Sequence, residues 1–270
     1  MSVMVRKKQQ TVHGLSREEI LSPLPSLFRT ALLSMYNGEP QLGSDGERHS
    51  LDGKTRIDSE EGMWLYKLCV EAKPKTTLEI GLAYGFSTLF FLAAICENGF
   101  GHHTAVDPFQ SPWHGIGLRH ARTLGGSGSF RYIEKMSPSA LVYLADHGEI
   151  FEVIFIDGSH YFENALADFT LSAGLCPIGG FIILDDALWP SIHRVVAFIR
   201  SNRKDFEELK TPVGAIAAFR RIGEDTRKWE HFVEFFNPLA SYYDVQCLMR
   251  TLTPTFVRRG IRAIARFVRP

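Results

Sequence analysis

Short apolar runs alternate with amphipathic helical patterns through the middle of this chain, and small polar residues separate them. The apolar runs have the length of buried strands and cover residues 76–80, 103–107, 130–134, 151–156 and 181–184. Between them, segments such as 86–97 and 161–175 repeat apolar residues at helical spacing. Strands that alternate with helices in this way are typical of a parallel sheet covered by helices on both faces.

The pattern before this region is less regular. A helix is expected over 16–32, although prolines interrupt its beginning. Residues 37–54 are rich in glycine, proline, serine and aspartate, which predicts a long loop. Asp58 and Glu61 have the spacing of a capping box, so the first core helix is expected to begin there.

Beyond the last buried strand, a hairpin pattern precedes a basic segment. Residues 206–210 and 215–222 flank a Pro-Val-Gly turn and predict a pair of strands. No acidic residue follows Asp244, and residues 256–269 place apolar side chains on one helical face and arginines on the other. Such a helix either docks on the rest of the protein with its arginines in solvent or makes peripheral contact with an anionic membrane surface.

The stretch that organises the chain is the strand at 76–80 with the turn and helix that follow it. Glu79, Gly81 and Gly85 form an ExGxxxG pattern, which differs from the dinucleotide pattern GxGxxG. The glycines allow a sharp turn and let a ligand lie against bare main chain, and the helix N-terminus offers free N–H groups. An acid at the position of Glu79 suits a ligand that carries an ammonium group. The alternative is a glycine-rich turn without a ligand.

A second acid, Asp107, ends the second predicted strand. A carboxylate at the C-terminal tip of this strand can accept hydrogen bonds from both hydroxyls of a ribose. The alternative interpretation is an aspartate that only caps its own loop.

Three further acids follow the last two buried strands. Asp157 ends one strand, and Asp185 and Asp186 end the next, with a crossover helix between them. Both strands therefore end at the same edge of the sheet, so the three carboxylates are expected to converge. Two charges about 4 Å apart repel by about 4 kcal/mol at an effective dielectric near 20, which calls for compensation. Oxygen ligands with water in the other positions suit Mg²⁺, with Mn²⁺ or Ca²⁺ as alternatives, unless the acids only cap helices and hold water.

One histidine lies beside this predicted cluster. His160 follows Asp157 by three positions. An imidazole can accept a hydroxyl proton at neutral pH, so a histidine at the rim of an acidic site is a candidate general base. A lone histidine is more often structural, and its position beside the carboxylates favours the base.

These motifs resemble a known family. ExGxxxG after a strand is the first motif of class I S-adenosylmethionine (SAM)-dependent methyltransferases. The segments Phe155-Ile156-Asp157-Gly158-Ser159-His160 and Gly179-Gly180-Phe181-Ile182-Ile183-Leu184-Asp185-Asp186 resemble metal-assisted O-methyltransferases that act on small molecules such as sugars or catechols. The resemblance covers roughly residues 55–222. It implies an α/β fold: a Rossmann-like, doubly wound, seven-stranded sheet whose last strand is antiparallel, with helical N- and C-terminal extensions.

The resemblance also implies roles for individual residues. His160 would be the catalytic base, and segment 55–58 would help to cover the substrate. The metal, Mg²⁺, would be held by Asp157, Asp185 and Asp186. The cofactor SAM would be bound by Glu79, Gly81, Tyr84, Gly85, Ser87, Asp107, Met136, Ser137 and Asp157.

Domain boundaries follow from the extent of the motifs. The predicted methyltransferase domain covers 55–223, between an N-terminal helical and loop extension, 1–54, and a basic C-terminal extension, 224–270. The formal net charge is zero, so no nucleic-acid partner is expected. Four scattered cysteines without metal-type spacing indicate buried thiols in a cytoplasmic protein. Neither a signal peptide nor a membrane-spanning helix is expected.

The leading hypothesis is a Mg²⁺-assisted SAM-dependent O-methyltransferase for a hydroxyl of a sugar, glycoside or natural product. Two alternatives remain: a metal-independent methyltransferase of the same fold, and a non-catalytic SAM-binding protein attached to a membrane by its C-terminal helix. The sequence identifies neither the acceptor nor the oligomeric state, a homo-oligomer included.

Overall fold

The computed structural model describes residues 15–126 and 128–235. Its helices are α1 (Arg17–Ile20), α2 (Ser26–Tyr36), α3 (Ser59–Ala72), α4 (Phe86–Asn98), α5 (Ile116–Gly125), α6 (Ser137–Asp146), α7 (Phe162–Leu175) and α8 (Pro190–Asn202). Its strands are β1 (Gln41–Leu42), β2 (Arg48–His49), β3 (Thr76–Ile80), β4 (His102–Val106), β5 (Phe130–Ile133), β6 (Val153–Ile156), β7 (Phe181–Leu184), β8 (Phe206–Leu209) and β9 (Ala217–Arg221). The basic segment 256–269 lies outside the described residues, so its prediction as an amphipathic helix stays open.

Seven of the strands form one sheet in the order β5-β4-β3-β6-β7-β9-β8. The first five of these are mutually parallel, and β9 is antiparallel to both β7 and β8. From β3 the chain first winds outward through β4 to β5, then returns to β6 on the other side of β3. The boundary between β3 and β6 is therefore the point where the strand order reverses, and open α/β sheets bind ligands in the crevice there. The predicted doubly wound, seven-stranded sheet with an antiparallel last strand is confirmed.

Helix α4 explains how the sheet buries one of its faces. Ten of its residues, Phe86–Ile95, are buried, because the helix is apolar on every side and lies between the sheet and the outer helices. Gly85 and Gly99 bound it in the left-handed conformation, which costs glycine little. The hydrophobic core around α4 includes Leu21 and Phe28 of the N-terminal extension. This extension therefore shares a core with the sheet. The opposite face is covered by α6, α7 and α8.

Two predictions for the N-terminal region need correction. The expected single helix over 16–32 is two helices, because the prolines that follow α1 interrupt the pattern. Ser16 and Glu19 form a complete capping box at the start of α1. The expected structureless loop over 37–54 contains the short antiparallel pair β1 and β2, which the high content of turn residues concealed.

The cysteines also differ in part from the prediction. Cys69 and Cys176 are buried, whereas Cys96 is exposed, because it lies in the last turn of α4 on the side away from the sheet. Cys247 lies outside the described residues. Within those residues, no helix combines the length and the apolar character needed to cross a membrane.

Candidate active site

The carboxyl ends of β3, β6 and β7 lie side by side in register. Ile80 is paired with Ile156, and Ile156 with Leu184. The ladder continues by one residue, because Asp157 donates its N–H to the carbonyl of Ile80 at 2.9 Å and Asp185 donates to that of Ile156 at 3.0 Å. Hydrogen bonding between strands thus fixes the backbone of both acids at the edge where the strand order reverses.

Asp157, His160 and Asp186 form a compact group at this edge. One ligand atom from each lies within 4.8 Å of the other two, and each side chain is partly exposed. His160 Nε2 lies 2.8 Å from Asp186 Oδ2. Asp186 has φ of +50°, a left-handed conformation that aspartate tolerates better than most residues and that strained functional sites often contain.

Burial and mutual repulsion raise the pKa of the strand-tip acids. Desolvation raises the pKa of Asp157 well above its usual range, and the charges of Asp185 and Asp186 raise it further. The pKa of Asp185 is raised in the same direction, first by desolvation and then by Glu61. Burial, together with Asp58 and Asp186, raises the pKa of Glu61 to about 7. A site that carries this much uncompensated negative charge suits a divalent cation.

Glu61 is a member of this acidic group that the sequence analysis missed. It was predicted only as the partner of Asp58 in a capping box, and that box is present, with Asp58 N–H donating to Glu61 Oε2 at 2.7 Å. Because Glu61 also lies close enough to the strand tips to interact with their acids, its charge raises the pKa of Asp185. Nothing in the local spacing of Glu61 indicates this, since the contact joins segments about 100 residues apart.

The glycines of the loop after β3 turn the chain sharply, as expected, and also let backbone segments pack closely. A Cβ on Gly81 would collide with the carbonyl oxygen of Asp157, and one on Gly85 would lie 2.9 Å from the Cα of Gly117. Both residues also have φ above +80°. The absence of a side chain therefore serves close packing of protein backbone.

Asp107 holds the same loop from the tip of β4. Its Oδ2 accepts the N–H groups of Leu82 and Ala83 at 3.0 and 2.9 Å. Its Oδ1 accepts the N–H of Phe109 at 2.7 Å. Asp107 thus caps the loop after β3 as well as its own loop. A carboxylate has about four acceptor sites, so this cap leaves capacity on Oδ1 for a ribose hydroxyl.

Glu79 is fully buried beneath the loop. Its Oε1 accepts a hydrogen bond from the Thr88 hydroxyl and lies 3.5 Å from His103 Nε2. Its Oε2 has no hydrogen-bond partner in the part of the chain that the structure describes, and the same holds for Oε1 of buried Gln110. Gln110, which the sequence analysis did not single out, donates to the Ala83 carbonyl and to Asp107. Buried acceptors without partners beside this loop suit a ligand that brings N–H donors.

The remaining predicted cofactor residues lie around the loop. Tyr84 and Ser87 are buried, and the Tyr84 ring packs edge-on against Trp113 at 5.0 Å. Met136 is exposed and precedes α6, and Ser137 is the first residue of that helix.

Exposed apolar side chains flank His160. Trp189 packs its ring on the imidazole, with centroids 4.7 Å apart. Trp189, Leu188 and Tyr161 each expose about half or more of their surface. Trp189 thus contacts the imidazole, and Leu188 and Tyr161 are the sequence neighbours of Trp189 and His160.

Comparisons with known proteins agree with this architecture. Residues 78–187 match the family model described as a methyltransferase domain. A caffeoyl-CoA O-methyltransferase from Populus kitakamiensis is 30% identical over 147 residues, which are 52% of this chain and 58% of the relative. The chain therefore matches less than two thirds of the length of that relative. The resemblance of the motifs to class I SAM-dependent methyltransferases is confirmed by these matches.

Solved structures share the fold at low sequence identity. An SAH-bound methyltransferase from Podospora anserina superposes with a TM-score of 0.59 at 15% identity, covering 74% of this chain and 89% of the other. The O-methyltransferase TomG from Streptomyces achromogenes, solved in complex with SAM, gives 0.55 at 16% identity, covering 74% and 91%. At these identities the likeness establishes the fold.

Proposed function

We propose that this chain is a SAM-dependent, Mg²⁺-assisted O-methyltransferase that acts on a hydroxyl of a small molecule such as a sugar, glycoside or other natural product. The observation that carries the proposal is the convergence of Asp157, His160 and Asp186 at the reversal point of the sheet. A binding protein needs neither a carboxylate cluster nor a base at this position. The activities of the similar proteins, a caffeoyl-CoA O-methyltransferase and TomG among them, agree with this reaction class.

For the cofactor, the unpartnered acceptors beside the loop support a positively charged ligand with N–H groups. Glu79 and Gln110 would accept from these groups, and the free capacity of Asp107 would bind the ribose. Tyr84, Ser87, Met136 and Ser137 would complete the pocket. SAM supplies an activated methyl group, so the protein mainly aligns the acceptor oxygen with it.

For the metal, the carboxylates of Asp157, Asp185 and Asp186 are the proposed ligands. The raised pKa values of Asp157 and Asp185 support this assignment, because they indicate that negative charge at this edge is costly without a cation. Mg²⁺ would make a coordinated hydroxyl more acidic and fix its direction. Glu61 adds negative charge behind these ligands and would strengthen the binding of a dication.

The proton of the acceptor hydroxyl goes to His160 in this proposal. Asp186, 2.8 Å from the imidazole, orients the ring and stabilises the imidazolium that forms. Trp189 holds the ring from one face. The apolar side chains of Trp189, Leu188 and Tyr161 would cover the nonpolar part of the acceptor and exclude water from the reacting atoms.

The contact between His160 and Asp186 also favours a second candidate, a metal-independent methyltransferase. In that mechanism His160 acts as the general base, Asp186 orients it, and no cation is needed. Asp157 then binds only the cofactor.

One set of assays separates the two candidates. SAM binding is measured by calorimetry, and methyl transfer from labelled SAM is measured over a panel of hydroxylated acceptors with Mg²⁺ or with EDTA. We expect SAM to bind, and EDTA or Asp157→Asn to lower the rate at least 100-fold. An EDTA-resistant rate that His160→Gln abolishes would support the metal-independent mechanism. Absence of SAM binding by the folded protein would refute both.

A further inference from the structure

The hairpin of β1 and β2 packs on the segment 110–115 through hydrogen bonds to the main-chain carbonyls of that segment. Ser44 donates its N–H to the His114 carbonyl at 2.8 Å and its hydroxyl to the Gly115 carbonyl at 3.1 Å. Gly43 leaves no room for a side chain, since a Cβ there would lie 2.9 Å from the same His114 carbonyl oxygen. The backbones of the two segments are thus held in a fixed relation about 70 residues apart in sequence.

This junction brings together three side chains of metal-ligating type, Asp45, His49 and His114. One donor atom from each lies within 4.8 Å of the other two. His49 Nε2 lies 2.8 Å from Asp45 Oδ2, and the imidazoles of His49 and His114 stack with centroids 3.7 Å apart and planes 3° from parallel.

The local backbone holds these side chains in place. Asp45 Oδ1 accepts the N–H of Glu47 at 3.0 Å, which leaves Oδ2 directed at His49. His114 has φ of +51°, a left-handed conformation that is unfavourable for a residue with a side chain. Backbone strain of this kind persists only where neighbouring contacts impose it, here the two hydrogen bonds from Ser44.

We propose that Asp45, His49 and His114 bind a transition-metal dication of the zinc class, separate from the acidic site at the strand tips. Two imidazole nitrogens and one carboxylate oxygen favour zinc over magnesium, which prefers oxygen ligands. In a tetrahedral zinc site the donor atoms lie about 3.4 Å apart, as follows from bond lengths of about 2.1 Å. The present donors lie within about 1.5 Å of that spacing. The rings turn out of their stack on binding, so that each nitrogen lone pair points at the ion, and water takes the fourth position.

A metal at this site would connect the hairpin with the segment that touches the proposed cofactor loop. Gln110, at the start of that segment, donates to the Ala83 carbonyl at 3.2 Å. Gly117, just beyond it, lies against Gly85. Zinc binding would therefore restrict the segment that packs on the loop, while its ligands take no part in methyl transfer.

The test counts zinc ions bound per chain. The full-length protein, with the strand-tip site saturated by excess Mg²⁺, is dialysed against zinc chloride and its metal content is determined. We expect His49→Gln and His114→Gln each to bind one zinc ion fewer per chain than the wild type, or to bind that ion with at least 10-fold lower affinity. The matched control is His147→Gln, which removes an exposed imidazole just after α6 and should leave the count unchanged.

A second measurement needs no variant. The wild-type protein is modified with diethylpyrocarbonate with and without zinc chloride, and the modified histidines are identified by mass spectrometry. Protection of both His49 and His114 by zinc supports the site. Equal zinc content in the wild type and both variants, or equal modification of the two histidines with and without zinc, would overturn the proposal.

Discussion

His160 has two neighbours that restrict its imidazole in different ways. Asp186 approaches its Nε2 to 2.8 Å, and the Trp189 ring covers one face. These contacts would hold the ring in position for the proposed role of His160 as a general base.

His160→Gln should therefore impair the chemical step and leave cofactor binding intact. Glutamine keeps a polar side chain but cannot accept the hydroxyl proton, so we expect kcat to fall about 10²–10⁴-fold. The affinity for SAM, measured by calorimetry, should change less than about twofold. A variant that binds SAM normally and keeps wild-type kcat would exclude His160 as the base. Loss of SAM affinity would indicate a structural role instead.

Asp168 is a buried acid for which the proposed mechanism has no role. It is completely buried on α7, and neither of its carboxylate oxygens has a hydrogen-bond partner within the described residues. Desolvation raises its pKa to about 6, and the side chain of Ser137 lowers the pKa by a smaller amount. Because the folded pKa is raised, the stabilisation it gives at low pH is lost as pH rises through about 6.

Asp168→Asn should remove this pH dependence. The shift of about two pKa units corresponds to about 3 kcal/mol. We expect the free energy of unfolding of the variant, relative to the wild type, to increase by about 2 kcal/mol between pH 4.5 and pH 8, because the remainder of the change lies below pH 4.5. Urea unfolding at several pH values measures it, with Asp146→Asn, an exposed acid on α6, as the control. Parallel curves for Asp168→Asn and the wild type would contradict the expected shift.

The sequence could predict the site residues whose positions follow from the strand pattern, and it could not predict those that tertiary packing brings to the site. Asp157 directly follows β6, and Asp186 lies two residues after the end of β7, so their positions could be predicted from the pattern. Glu61 joins them only through the packing of α3, and Gln110 through the fold of its segment, which no local pattern reveals. Asp107 lies at the tip of its strand, as expected from the pattern. The N–H groups from which it accepts hydrogen bonds belong to the loop after β3, and their position depends on the conformation of that distant turn.

At the scale of elements, the start of α4 depends on a contact between two glycines. Gly85 has φ of +81°, and a Cβ on it would lie 2.9 Å from the Cα of Gly117. The opposing residue is equally constrained, since a Cβ on Gly117 would lie 2.6 Å from the Ala83 carbonyl oxygen. Helix α5 therefore approaches the loop as closely as backbone atoms permit.

Gly85→Ala should destabilise the fold. The positive φ and the forced separation from Gly117 together cost about 2–4 kcal/mol. The matched control is Gly174→Ala within α7, where a Cβ meets no atom within 4 Å. That control should stabilise the protein by about 0.5–1 kcal/mol, because alanine favours helix. Chemical denaturation measures both, and equal effects of the two substitutions would refute the close-packing argument.

The element pattern could be predicted where strand and helix periods were long and apolar. The five parallel strands and the helices between them follow from such runs, and β7 was predicted at its exact bounds. The hairpin of β1 and β2 could not be predicted, because strands of two residues have no detectable period. It owes its structure to the turn around Gly43 and to docking on the segment 110–115.

At the scale of the whole molecule, the chain after β9 continues to pack on the domain beyond its predicted boundary at residue 223. Asn202, buried at the end of α8, donates its side-chain N–H to the Val233 carbonyl at 2.9 Å and accepts the Val233 N–H at 2.7 Å. Nearby, buried Arg203 pairs with Asp205 at 2.6 Å and approaches Asp225 to 3.8 Å. The proposed domain boundary therefore does not coincide with the end of the contacts.

Asn202→Ala should release the segment 224–235 and leave the sheet intact. Two hydrogen bonds of about 1 kcal/mol each are lost, so local opening of the segment should increase about 10–30-fold, whereas global unfolding changes little. Hydrogen exchange or limited proteolysis at 224–235 measures the opening. Asn98→Ala is the control, because it removes a single hydrogen bond, to the Cys69 carbonyl, far from this segment. Equal exchange at 224–235 in the Asn202 variant and the wild type would mean that other contacts hold the segment, with the Arg203–Asp225 pair the next to test.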